Sequence, residues 1–150
     1  MIAGLAGLAI DARFATRRTA HGGRDPASRA IAARWIAANA LAVRGLHVAL
    51  DGAPPREPSV FALHADGLAA VLAAIAAVPA LVDTTTLPRR WRLALCALGL
   101  PTLDRAAAAA LAGGASVLAP AGVGHRELAV ALEAQRYRVR IAPPAHMLVA

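Results

Sequence analysis

Residues 59–85, SVFALHADGLAAVLAAIAAVPALVDTT, decide how the chain folds. The first five form a short apolar run whose Val60 and Phe61 suit a pleated, half-buried strand, and His64 falls at its carboxyl end. Over 66–78, once Asp66 and Gly67 are passed, the composition is Ala, Leu, Val and Ile without a breaker, which predicts a strongly apolar helix. Pro79 stops it, because proline has no N–H to donate and its ring clashes with the preceding turn. Residues 80–85 restore β-branched character and read as a second strand. Strand, helix and strand in succession make one parallel crossover unit, with a right-handed connection.

The same alternation extends in both directions. Upstream, Ile31, Trp35, Ile36 and Leu41 recur near helical spacing over 27–43, with Arg29 and Arg34 available for the outer face. Residues 46–50 read as a strand and 51–58 as a proline-rich turn. Downstream, Pro88 opens a helix running to about Leu98, where Gly99 ends it. A short strand over 100–103, a helix over 105–112 capped by Asp104, and Gly113-Gly114 follow. Residues 116–119 then read as a strand, 120–125 as a glycine loop, 126–135 as a helix and 137–142 as a final strand. The expected fold is a layered α/β domain over 27–150, with a largely parallel central sheet flanked by helices. Residues 1–26 are expected to form a short N-terminal helix, ending at Arg17-Arg18, and a linker with capacity for peripheral membrane contact.

Composition bounds the function. The chain has 150 residues and a net charge of +7, and all sixteen of its basic residues are arginine. GC-rich coding favours arginine and alanine together, yet the charge acts physically whatever its origin: arginine stays protonated and presents a planar fork to phosphate or carboxylate. Aromatic residues make up only 3%, too few to interleave with arginine as base-stacking platforms, so an anionic membrane surface is expected as partner rather than nucleic acid. Cys96, the single cysteine, cannot form an internal disulfide and is expected in the core. No segment has the roughly 20 apolar residues of a membrane crossing, and no basic start precedes the apolar 1–10, so a cytoplasmic location is expected. No two His, Cys or Asp side chains show metal-ligand spacing, and Gly122-x-Gly124 lacks the spacing of a dinucleotide fingerprint.

In open α/β sheets sites lie at carboxyl strand ends. Three segments fall there in this reading: His64, Asp104-Arg105, and the loop from Pro120 to Gly124. In that order they resemble the blocks of the glycerol-phosphate and lysophosphatidic acid acyltransferase family, over roughly two-thirds of the chain. The family's first block is Asn-His, four residues, then Asp; here it is Leu63-His64 with Ala69 at the aspartate position. The second block is intact in Leu103-Asp104-Arg105. The third, Phe-Pro-Glu-Gly in the family, reads Ala119-Pro120-Ala121-Gly122, with Gly124 at the usual arginine position.

The resemblance implies transfer of a fatty acyl group from a thioester to a lysophospholipid or glycerol-phosphate type of acceptor. It implies no bound cofactor, acyl-CoA or acyl carrier protein being a co-substrate, and peripheral association with the inner membrane face. His64 is the expected general base, since its pKa lies near neutrality, with Asp66 standing in for the missing carboxylate partner. Asp104, Arg105, Gly122, Gly124 and Arg126 are expected to bind the acceptor phosphate, with glycine N–H groups and a helix start near Arg126 contributing. Because Ala69 and Ala121 replace acidic family residues, the alternative is a catalytically impaired relative that binds lipid or acyl groups or regulates a partner. A basic nucleotide-binding α/β domain is the third reading.

Overall fold

The computed structural model describes residues 25–53, 55–85, 87–104, 106–120, 126–134 and 136–142. In chain order the elements are α1 (Pro26–Ala42), β1 (His47–Asp51), β2 (Val60–His64), α2 (Leu68–Ala77), β3 (Ala80–Val82), α3 (Arg89–Ala97), α4 (Ala107–Ala112), β4 (Ser116–Pro120), β5 (Arg126–Glu133) and β6 (Arg136–Ala142). The six strands form one mixed sheet in the order β1-β6-β5-β2-β4-β3. Strands β5, β2, β4 and β3 run parallel to one another, as do β1 and β6, and the two blocks meet antiparallel at β5 and β6. The α/β class is therefore as expected, and the sheet is divided between two directions.

Alternation assigns each strand residue to a face. Phe61, Leu63, Val82, Leu118, Leu128 and Val139 point to one side, where α1, α2 and α3 cover them in the main core. On the other side a smaller cluster of Ala30, Leu81, Ala110, Ala115 and Val117 lies beneath α4 at the β3–β4 end. Among the described residues, no helix packs on that second face over β5, β6 and β1. With few large rings, the core depends on close approach: Ala33, Ala37, Ala73 and Ala74 are fully buried where α1 and α2 meet. Gly113 shows the same economy of space, since an added Cβ would come within 2.5 Å of Pro26 Cγ at the start of α1.

Several expectations change. Residues 126–135 do not form a helix; β5 occupies most of that stretch and pairs with β2 on one side and β6 on the other. Leu128 is buried while Glu127 and Ala129 are exposed, a period of two that outweighs the helix propensity of Ala, Leu and Glu. Glu133 pairs with Arg136, so two residues separate β5 from β6, and Ala134 takes the left-handed backbone such a tight turn demands, at φ 53°. Residues 100–103 are not a strand: Leu103 donates one bond to the Val82 carbonyl, and Pro101 has no N–H to extend a ladder. Strand β3 ends at Val82, because the Asp83 side chain accepts bonds from the backbone N–H and hydroxyl of Thr85 and turns the chain away.

Four side chains also lie elsewhere than expected. Ile31 and Trp35 are exposed, because the buried arc of α1 runs through Ala33, Ile36, Ala37, Ala40 and Leu41 on the opposite side of the helix. Cys96 is exposed, since α3 turns Leu95 inward and the next residue lies 100° round the helix. Asp104 does not cap the short helix, whose N-cap is Ala106 without a side-chain bond. Asp25 does cap α1, its carboxylate accepting from the Ser28 N–H at 3.1 Å.

Candidate functional site

His64 is the last residue of β2 and its side chain leaves on the second face, which, among the described residues, α4 covers only at the β3–β4 end. Leu63 pairs with Pro120, so β4 ends beside it and the first and third blocks of the expected site are neighbours through the sheet. On the other flank Ala62 pairs with Glu127 and His64 with Ala129, which places Glu127 diagonally across from the imidazole on the same face. Glu127 Oε1 lies 3.9 Å from His64 Nε2, with both side chains about half exposed. At that separation the pair is an electrostatic contact rather than a hydrogen bond.

Asp66 is exposed beyond β2, two residues past His64, and the carboxylate within ion-pair distance of the ring is Glu127. Asp104 accepts from Arg29 Nη1 at 2.7 Å, while Arg29 Nη2 donates to the Thr102 carbonyl at 2.7 Å. The bond that attaches Leu103 to β3 puts this segment three strand spacings from β2, roughly 14 Å across the sheet. The structure thus engages Asp104 with the first turn of α1 and does not bring it to His64. Arg126 pairs with Phe61 and shares its face, so it leaves the sheet on the helical side, opposite His64. No helix begins there to help it hold an anion. Arg105, Gly122 and Gly124 lie outside the described residues.

Two apolar depressions flank this end of the domain. A small one of about 60 Å³ lies at the carboxyl ends of β2, β3 and β4, with Leu63, Val82, Leu118 and Trp91 in its walls. A larger cavity of about 270 Å³ opens where the end of α1, the start of α2 and the end of α3 meet. Leu41, Leu68, Leu72 and Leu98 form its walls, Ala69 contributes a methyl group, and among the described residues Arg44 is the one charged side chain that lines it. Leu68 begins α2 only four residues after His64, so one short turn connects them along the chain, but the cavity lies in the helical layer and the imidazole leaves on the opposite face of the sheet. Position 69, an acid in the family pattern, here faces hydrocarbon; a carboxylate would lose hydration there without a described partner.

Among the described residues, no group of three His, Cys, Asp or Glu side chains is placed to hold a metal ion. Sequence reading missed Glu127 because 126–135 has a helical composition; its signal was the alternation Glu127-Leu128-Ala129-Val130, readable only as a strand. Compared with known proteins, the chain matches no family model, no curated protein and no solved structure.

Proposed function

We propose that the chain handles fatty acyl groups: an acyl chain lies in the 270 Å³ cavity between α1, α2 and α3, and its thioester passes round the carboxyl end of β2 to reach His64 on the other face of the sheet. The donor is an acyl-CoA or acyl carrier protein and the acceptor a hydroxyl of a lysophospholipid or glycerol-phosphate type. His64 takes the hydroxyl proton as the oxygen attacks the thioester carbon; the C–S bond then breaks, and the proton passes to the leaving thiolate. Glu127 supports the imidazolium that forms between these steps. The observation that carries this reading is an apolar cavity at the same end of the sheet as a histidine at a carboxyl strand end, one turn away along the chain. Thioester consumption by the purified protein tests it, with His64→Ala and Glu127→Ala alongside. Equal rates in native protein and His64→Ala end the catalytic role of His64.

A second reading, acyl binding without turnover as a regulatory module, is favoured by the engagement of Asp104 with Arg29 and by the 3.9 Å gap at His64. It gives saturable acyl-thioester binding and no steady consumption. A lysophospholipid is found at a membrane surface, and α1 has the composition to meet an anionic one. Ile31, Trp35 and Val43 are exposed on it, and Arg34 and Arg44 lie beside them. A helix apolar on nearly every side normally has its outer face covered too. Among the described residues, no helix is long and apolar enough to cross a membrane.

A further inference from the structure

A further cavity is larger than either of the two depressions already described. It has a volume of about 570 Å³ and lies at the other end of the sheet, where β1 ends and β2 and β4 begin. Its walls are apolar: Val48 and Leu50 of β1, Val78 and Pro79 after α2, and Pro55 and Pro58 of the linker before β2. Two arginines from different elements line it, Arg34 of α1 and Arg56 of the linker. Arg34 Nε donates to the Ala76 carbonyl at 3.2 Å, which uses one donor of the fork and fixes the group at the wall. Among the described residues, neither arginine has a carboxylate within ion-pair distance, although Glu57 lines the same space. Ser116 Oγ accepts from the Ser59 N–H at 3.1 Å and keeps its own proton to donate.

We infer that this cavity is a second binding site, specific for a small amphipathic anion: one phosphate or carboxylate held by Arg34 and Arg56, with an apolar body against the proline and aliphatic walls. The volume lies within the range of small-molecule pockets, whose walls are mainly apolar with a few convergent polar groups. Arginine is the residue suited to the charge, because its planar fork gives two parallel bonds to a phosphate or carboxylate. Glu57 limits the ligand to a single anionic group, since a second would meet its carboxylate. The site is independent of the acyl-transfer reading, as it shares no residue with His64, Glu127 or the helical cavity.

The test is a titration of the full chain with phenyl phosphate, with phenol and inorganic phosphate as separate arms, followed by amide NMR. Saturable binding of phenyl phosphate is expected, with shifts at Val78, Gly114 and Ser116 and weaker binding of both fragments. Arg56→Ala, in the exposed linker, weakens it by about tenfold or more, the ordinary worth of a charge-assisted bond. Arg34→Ala also frees the end of α2, so it is read beside Arg56→Ala and its own thermal melt. The inference is overturned by equal binding of phenol and phenyl phosphate, by unchanged affinity in Arg56→Ala, or by shifts confined to the α1–α3 cavity.

Discussion

Filling the helical cavity from its own wall should shorten the acyl chain it accepts. At about 270 Å³ the space is comparable to nine waters at roughly 30 Å³ each, and so to an apolar chain of about nine carbons. Each methylene moved from water to such a site contributes about 0.8 kcal/mol, close to fourfold in affinity. Acyl-pantetheine thioesters from four to fourteen carbons should therefore bind about fourfold tighter per carbon up to about nine, and then level off. Ala69→Leu adds three carbons to the wall and costs the helix little, since alanine and leucine are both good helix formers. The plateau should move to about six carbons, and the nine-carbon ligand should lose about 2.4 kcal/mol, roughly 60-fold. Isothermal calorimetry across the series measures both quantities. Affinity that rises unbroken past fourteen carbons, or an Ala69→Leu profile that overlays the native one, would refute the reasoning.

Other outcomes follow from the same geometry. Arg29→Ala breaks the 2.7 Å bonds to Asp104 and Thr102; with Arg29 only about a quarter exposed and Asp104 more so, the loss should be about 1–2 kcal/mol, or several degrees in Tm. Asp104→Ala should destabilise by less, because the Thr102 bond survives, and a double-mutant cycle should show coupling between the two positions. Glu127→Gln should slow thioester consumption by about tenfold or more while leaving thermal stability within about 0.5 kcal/mol, since the pair is exposed. Ser28, through its side chain first and its N–H second, holds the Asp25 carboxyl below the usual aspartate range. The cap therefore stabilises α1 fully above about pH 4 and is lost as pH falls through the lowered value. Melts of native protein and Asp25→Ala should differ at neutral pH and converge in acid.

Much of this fold can be read from local chemistry, and the remainder depends on partners remote in the chain. Helices α1, α2 and α3 announce themselves through Pro26, Pro79, Pro88 and Gly99, and Gly99 indeed takes a left-handed φ of 70° to end α3. Strand β5 does not, because Ala, Leu and Glu favour a helix until β2 and β6 are placed on either side. Its turn is equally silent, since Ala134 gives no sign of the positive φ it adopts. The site divides in the same way. His64 at a strand end is visible in the apolar run before it, whereas Glu127 becomes its neighbour only through the register of β5 on β2. Asp104 is expected to bind an acceptor phosphate, but it accepts a bond from Arg29, 75 residues away on the first turn of α1. A motif records residue types, and the bond that uses one of them depends on packing.

A photoreactive acyl thioester, with a diazirine at the sixth carbon, tests the placement of the acyl chain most directly. After irradiation and peptide mapping, the account predicts adducts on Leu41, Leu68, Leu72 or Leu98 around the helical cavity, suppressed by excess nonanoyl thioester. Adducts concentrated instead on Val48, Leu50 or Pro58 at the opposite end of the sheet would contradict it.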